Sequence, residues 1–208
     1  MLIDLLNHIG YFKYNTPDEK NEFEKAIQLY SSNRTGLNKL INKFTFAHDK
    51  RSFLADHNID KSTLDIDQRG RDDKWEEFCI SAGSGNKIDF IDFLQVIGLS
   101  IAFDDPIKHD EKSELNSLIV SINGLTHTIE YPYLQDELLL FSFTEIINRE
   151  LSKIKSPEKC YIIGRFPSIL LFVTEEIYQY LTQLETDNYS EILKPEEWIR
   201  KFEKPDPG

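Results

Sequence analysis

The sequence predicts an α+β protein in which a helical N-terminal layer precedes a four- to five-stranded, mainly antiparallel sheet with helices on one face. Apolar residues of the first half recur at helical spacing. In the second half, an Asn-Gly dipeptide joins two alternating runs, and the order strand, strand, helix occurs twice. We expect one domain over residues 1–208, with a mainly helical subregion at 1–97, a sheet-and-helix subregion at 98–184, and a C-terminal helix and tail at 185–208.

The clearest helix start in the first half is the stretch "NTPDEKNEFEKAIQLY". Thr16 suits the N-cap, Pro17 the first helical position, and Glu19 completes a capping box. The residues that then recur at i, i+3, i+4 and i+7 form one apolar stripe: Phe23, Ala26, Ile27 and Tyr30. These features predict a helix that packs on the core.

The middle of the chain gives mixed signals. Residues 47–73 are polar and aperiodic, which predicts a long connection or a flap. A helix is predicted around Trp75, Phe78 and Cys79. The apolar run "KIDFIDFLQVIGLSIAF" begins with helical spacing and ends with alternation, so we predict a helix that passes into a strand at Gly98.

A β-hairpin is predicted at "SLIVSINGLTHTIEYP", because Asn123-Gly124 lies between two alternating runs. A two-residue turn would pair Ile122 with Leu125, and the pairing would continue outwards along both strands. The residues expected on one face are Leu118, Val120, Ile122, Leu125, His127 and Ile129.

The remaining elements follow in order. A helix carries one apolar stripe, and two strands, "KCYIIGR" and "SILLFV", come next. Thr174 is the predicted N-cap of a helix whose first turn holds Glu175 and Glu176. A last helix is predicted to begin at Pro195, with Trp198 and Phe202 as its anchors.

Composition narrows the classes of function. The chain has 36 acidic and 24 basic residues and a formal charge of -12, which disfavours nucleic acid and anionic membranes as partners and suits a basic protein. It contains 2 cysteines, Cys79 and Cys160, each in an apolar stretch typical of a buried thiol. The absence of a long apolar run leads us to expect a cytoplasmic protein.

One acidic stretch resembles a calcium loop. Asp65, Asp67, Gly70 and Glu76 fall at the first, third, sixth and twelfth positions of an EF-hand. Arg69 stands at the fifth position, where a cation would oppose the bound ion. We therefore expect no metal site and no cofactor, and a calcium-responsive module remains an alternative.

Catalytic motifs are absent from the sequence, and the protein is predicted not to be an enzyme. No histidine stands at metal-ligand spacing from a cysteine or another histidine. The alternative is a hydrolase of unrecognised type with a pocket between the helical layer and the sheet. Its polar groups would be His127, Asp104 and Asp105.

The distribution of charge along the chain predicts where a partner would bind. Residues 113–148 and 166–193 contain acids and tyrosines but no lysine or arginine. Such stretches create negative potential, and exposed tyrosines among acids are good interface residues. The candidate partner-binding residues are Tyr131, Tyr133, Asp136, Glu137, Glu175, Glu176 and Tyr178.

The architecture of residues 116–181, in "LIVSINGLTHTIEYP", the helix after it and "CYIIGRFPSILLFVTEEIYQYL", resembles bacterial immunity proteins of polymorphic and contact-dependent-inhibition toxins. The resemblance implies a small, acidic, cytoplasmic, non-enzymatic inhibitor that binds and occludes a cognate toxin domain, often a basic nuclease. It carries over no functional residues.

Overall fold

A computed structural model of the chain describes residues 2–30, 36–41, 51–59, 76–82, 90–110, 112–132, 135–164, 168–184 and 191–203. Its helices are α1 (Leu2–His8), α2 (Pro17–Tyr30), α3 (residues 36–41), α4 (Phe90–Val96), α5 (Asp136–Lys153), α6 (Glu175–Thr182) and α7 (Pro195–Glu203). Its strands are β1 (Ser52–Ile59), β2 (Glu76–Ala82), β3 (Ile101–Asp110), β4 (Leu115–Ile122), β5 (Leu125–Pro132), β6 (Glu158–Ile163), β7 (Ser168–Thr174) and β8 (Ile192–Leu193).

The strands form two sheets, and every pair among the described strands is antiparallel. The larger sheet has the order β2-β1-β7-β6-β8, and the smaller has the order β3-β4-β5. The α+β class, the N-terminal helical region and the antiparallel sheet are thus confirmed. The single sheet that we predicted is divided in two, because the hairpin strands β4 and β5 lie in the smaller sheet, whereas β6 and β7 lie in the larger.

Both faces of β6 and β7 are buried, which explains their almost continuous apolar sequences. Cys160, Ile162, Leu170 and Phe172 face a core shared with α4, α5, α7 and the smaller sheet. The alternate residues face a second core built with α1, α2, α3 and α6: Tyr161, Ile163, Leu171 and Val173.

The hairpin has the predicted register. Ile122 pairs with Leu125, Val120 with His127, and Leu118 with Ile129. Asn123 and Gly124 have φ angles of 51° and 78°, the conformation of a type I′ turn. Ser100 N–H donates to Asn123 Oδ1 at 2.8 Å, which fixes the turn to the start of β3.

Several other predicted boundaries are confirmed. Thr16 and Glu19 form the capping box, with Thr16 N–H 2.7 Å from Glu19 Oε2. Helix α4 ends before Gly98, which has a φ of +94°, and β3 follows. Thr174 caps α6, because its Oγ1 accepts a hydrogen bond from Ile177 N–H at 3.3 Å.

Two predictions for the middle of the chain are wrong. Part of the supposedly irregular 47–73 segment is β1, which lies between β2 and β7 and is hydrogen bonded on both sides. The helix predicted around Trp75, Phe78 and Cys79 is strand β2 from Glu76 onwards, and Trp75 lies outside the described residues. Pairing with distant strands overrides the weak local pattern in both places.

The calcium-loop residues Asp65, Asp67, Arg69 and Gly70 lie outside the described residues. Glu76, the predicted twelfth position, is the first residue of β2 and pairs with Ile59. Among the described helices, none is long and apolar enough to cross a membrane.

Candidate partner-binding site

The structure divides the predicted partner-binding residues between two regions. Tyr131 ends the buried part of β5, and Asp136 and Glu137 follow in the first turn of α5. Tyr133, which comes between them, lies outside the described residues. The second region is the start of α6, with Glu175, Glu176 and Tyr178.

The rings of Tyr131 and Tyr178 are less accessible than we expected of interface tyrosines. Tyr131 is 1% exposed and belongs to the core between the sheets. Tyr178 is 8% exposed and belongs to the core on the other side of the larger sheet. Both contribute packing, and of the predicted residues in the second region only Glu176 is exposed.

Helix α6 and strand β6 meet at a pair of stacked tyrosines. The Tyr161 and Tyr178 rings lie 4.3 Å apart with an angle of 9° between their planes. Tyr161 Oη donates to Glu175 Oε2 at 3.0 Å, so the predicted acid at the start of α6 is anchored to β6. Burial raises the pKa of Tyr161, and the Glu175 carboxylate raises it further.

Glu175 also has cationic neighbours. Its carboxylate lies 3.9 Å from Lys159 Nζ and 3.8 Å from Lys194 Nζ, and Gln179 donates to it at 2.8 Å. The hydrogen bond from Gln179 lowers the pKa of Glu175, burial opposes this, and the Tyr161 hydrogen bond and two lysines add to the lowering. The charge of Glu175 is therefore partly compensated within the chain.

Four more carboxylates surround this junction of α5, α6, β8 and α7. Together with Glu175 we call them the acidic corner: Glu145, Glu175, Glu191, Glu196 and Glu197. Glu191 is paired with Lys201. No ion pair in the described part of the chain joins Glu145, Glu196 or Glu197 to a cation.

In the acidic corner, burial and neighbouring carboxylates raise the pKa of Glu145 and of Tyr178. Burial raises the pKa of Glu145, and the neighbouring Glu196 carboxylate raises it further, while Arg149 opposes the rise. Burial also raises the pKa of Tyr178, and three carboxylates add to that rise: Glu197, Glu175 and Glu191. A cation placed here by a partner would relieve this repulsion.

Two clefts open at the acidic corner. The larger, of about 600 Å³, lies between α5, β6 and the start of α7, and its walls include Glu145, Arg149, Lys194 and Glu196. The smaller, of about 430 Å³, lies between α6 and α7 and is lined by Tyr178, Glu191, Ile192, Leu193, Glu197 and Lys201, among others. Each is wide enough to receive a side chain from another protein.

The larger cleft carries no activated nucleophile among its described residues. Cys160 lies in its wall as a free, buried thiol, and burial raises the pKa of that thiol far above its ordinary value. The thiol is protonated at neutral pH and therefore a poor nucleophile. Cys79 has no described side chain.

The groups nominated for a hydrolase do not form a described constellation. His127 lies on β5, with Nδ1 3.2 Å from Arg149 Nη2 and Nε2 3.7 Å from Glu150 Oε1. The side chains of Asp104 and Asp105 lie outside the described residues. Within the described residues, no three His, Cys, Asp or Glu side chains are grouped to hold a metal ion.

Glu150 is the centre of a charged network beside His127. It is 2% exposed, and Lys153 Nζ donates to it at 2.7 Å. That hydrogen bond lowers the pKa of Glu150, burial opposes the lowering, and Lys153, His127 and Arg149 assist by their charge. The network ties β5 to the C-terminal half of α5, which is a structural role.

Comparison with protein families, with curated proteins and with solved structures finds no match to this chain.

Sequence reasoning missed most of the acidic corner. Glu145, Glu196 and Glu197 come from two helices far apart along the chain, and only the fold brings them to one place. The cations Lys159 and Lys194 lie outside the two basic-free stretches, so a count along the sequence overstated the negative charge around Glu175.

Proposed function

We propose that this protein is a non-enzymatic binding protein that docks its acidic corner on a basic protein, and that the partner is a toxin domain whose active site it occludes. The observation that carries the proposal is that Glu145 and Glu196 line the wall of the larger cleft together, where burial and the neighbouring Glu196 carboxylate raise the pKa of Glu145. A lysine or arginine from a partner would lower that pKa on binding.

The net charge supports the same partner class. A chain of charge -12 attracts basic proteins from a distance, and this attraction speeds association and weakens as salt rises. The predicted residues at α6 contribute through Glu175 and Glu176, whereas Tyr178 acts by holding the stacked pair in place.

The test is isothermal titration calorimetry with the basic toxin domain encoded by the adjacent reading frame, at low and high salt. We expect a one-to-one complex whose affinity falls as salt rises. Replacing Glu145→Gln together with Glu196→Gln should weaken the complex about thirtyfold, because each of the two desolvated charge contacts contributes on the order of 1 kcal/mol.

The matched control removes the same charge elsewhere. Glu22→Gln with Glu24→Gln changes two acids on α2, outside the acidic corner, and should alter the affinity less than about twofold. The absence of a complex at low salt, or an equal loss in both double variants, would refute the proposal. Inactivation of the toxin by a small fraction of an equivalent would instead favour an enzyme.

A further inference from the structure

The backbone of β5 offers hydrogen-bonding groups on the side away from β4. In a hairpin closed by a two-residue turn, Ile122 and Leu125 form a hydrogen-bonded pair, and such pairs alternate along the ladder. The residues between them direct their N–H and C=O groups to the opposite edge. On β5 these are Thr126, Thr128 and Glu130.

These three residues lie at the end of the smaller sheet, and their side chains are exposed on its outer face. Within the described residues, no hydrogen bond reaches the outward backbone groups of any of the three. The pairing of β4 with β5 runs through all eight residues without a bulge, so the open edge is regular as far as Pro132, whose C=O accepts from Gln135 N–H at 3.1 Å.

Two of the other described edges are short or interrupted. Strand β8 has two residues and is followed by Pro195. The pairing of β3 with β4 breaks between Asp104 and Lys108, at Pro106, and β3 lies next to β2. Short edge strands, bulges and prolines are the usual devices that stop a further strand from adding.

We infer that the free edge of β5 docks an extended, basic strand of a partner protein, which adds antiparallel or parallel to the smaller sheet. Main-chain hydrogen bonds to Thr126, Thr128 and Glu130 would supply the affinity. A second copy of the chain is disfavoured as the occupant, because two molecules of charge -12 repel each other.

Side chains along the edge define the chemistry of the docking strand. Glu130 is exposed at one end, and Asp136 and Glu137 follow in the first turn of α5. A lysine or arginine placed across from Glu130 would therefore be favoured. Thr126 and Thr128 suit threonine or valine across from them, since cross-strand pairs of β-branched residues pack well.

The experiment measures amide hydrogen exchange by NMR on the full chain, with a synthetic blocked peptide of about ten residues that alternates lysine or arginine with valine and threonine. Saturating peptide should slow exchange at Thr126, Thr128 and Glu130 by about tenfold or more, equivalent to about 1.4 kcal/mol. The amide of Cys160 on β6, which is already bonded to Asn148, should not change.

Two substitutions test the edge itself. Thr128→Pro removes an outward N–H without removing a β4–β5 hydrogen bond, so the chain should fold and lose the peptide-induced protection at Thr126 and Glu130. Thr128→Val keeps the N–H and should retain that protection. A peptide with glutamate in place of its basic residues should give none.

The inference is overturned if the basic peptide slows none of the three amides, if these amides are already protected in the isolated monomer, or if the acidic peptide protects them equally. Protection that rises with protein concentration and accompanies a sedimenting dimer would show that the occupant is a second copy.

This inference rests on the proposed function only for the basic character of the partner, and the two can fail separately. A toxin-domain complex weakened by Glu145→Gln with Glu196→Gln but unaffected by Thr128→Pro would overturn the docking strand alone. Peptide docking at β5 without any toxin-domain complex would overturn the proposed function alone.

Discussion

Strands β6 and β5 each have an edge that faces away from the neighbouring strand of the hairpin or sheet. The outward backbone groups of β6 are hydrogen bonded, whereas those of β5 are open as far as Glu130 in the described part of the chain. On β6, Ile162 pairs with Leu193 of β8, and Asn148 covers the next outward position, because its side chain accepts from Cys160 N–H at 2.7 Å and donates to Cys160 C=O at 2.9 Å. Ser156 Oγ lies 3.3 Å from Glu158 N–H. On β5, no such partner reaches the outward backbone groups of Thr126, Thr128 and Glu130 within the described residues.

On β6, a side chain takes the place of a neighbouring strand. Asn148 belongs to α5 and reproduces both hydrogen bonds of a neighbouring strand with a single amide. Closing β6 in this way protects the edge at the wall of the larger cleft, where Cys160 is 1% exposed and open backbone groups would be costly. The edge of β5 faces outward, where water can satisfy it until a partner strand replaces that water.

The largest effect is expected from opening the β6 edge. Asn148→Ala leaves the N–H and C=O groups of Cys160 without their partner, and Cys160 is 1% exposed. We expect the free energy of unfolding to fall by about 2–3 kcal/mol, as measured by urea denaturation. The newly open edge should also make the variant associate as its concentration rises.

The control for this change lies on the same helix. Ser142→Ala alters a half-buried residue of α5 whose side chain makes no hydrogen bond among the described residues, and it should change stability by less than about 0.5 kcal/mol. Equal stability of Asn148→Ala and the parent chain would show that the amide does not seal β6.

A smaller effect is expected at the start of β6. Glu158 is 3% exposed and accepts hydrogen bonds from Lys13 at 2.5 Å and Tyr14 at 2.6 Å, which ties the segment between α1 and α2 to this edge. Glu158→Gln removes the charge that these donors stabilise. The free energy of unfolding should fall by about 1–2 kcal/mol at neutral pH.

The pH dependence of this effect follows from the pKa of Glu158. Burial alone would raise that pKa, but the hydrogen bonds from Lys13, Tyr14 and Ser156 outweigh burial and leave it below its ordinary value of 4.5. The stabilisation is therefore complete above pH 4.5 and is lost as the pH falls through the lower, folded-state pKa.

Chemical denaturation across this acid range should show the parent chain converging on Glu158→Gln as the carboxyl group becomes protonated. Glu22→Gln, on the exposed side of α2, is the matched control and should keep the parent's stability within about 0.5 kcal/mol. A constant gap between the parent and Glu158→Gln at every pH would contradict this account of the charge.

The smallest effect concerns the turn that sets the register of β5. Asn123→Ala removes the hydrogen bond to Ser100 N–H and places alanine at a φ of 51°, so stability should fall by about 1 kcal/mol in thermal or urea unfolding. Asn123→Gly separates the two causes, because glycine tolerates the positive φ but cannot bond Ser100.

The Asn123→Ala variant also tests which N–H groups of β5 point to its open edge. The register decides that Thr126, Thr128 and Glu130 direct their N–H groups outward, and a one-residue slip would exchange them with their neighbours. Amide exchange in Asn123→Ala should retain the parent pattern of fast and slow residues. A reversed pattern would show that the turn alone holds the register.

The fold was predictable where local signals were strong. The Asn123-Gly124 turn, the cap at Thr174 and the capping box at Thr16 each depend on residues close in sequence, and each is confirmed. Strands β1 and β2 were missed because their place in the larger sheet depends on pairing across long stretches of chain. A window of a few residues carries little of that information.

The burial of Tyr131 and Tyr178 could have been deduced from the sequence. Tyr131 follows Ile129 by two residues on a strand, which puts both on the core face. Tyr178 lies beside Ile177 and three residues before Leu181, on the buried stripe of α6. The lysines that approach Glu175 could not be deduced, because they come from other elements of the fold.

Strand β1 lies between β2 and β7, and its pairing joins Ser52 to Leu171. During synthesis on a ribosome, β1 can therefore pair with β7 only after most of the chain has emerged. We expect the larger sheet to close late, after the hairpin of β4 and β5 has formed from residues adjacent in sequence.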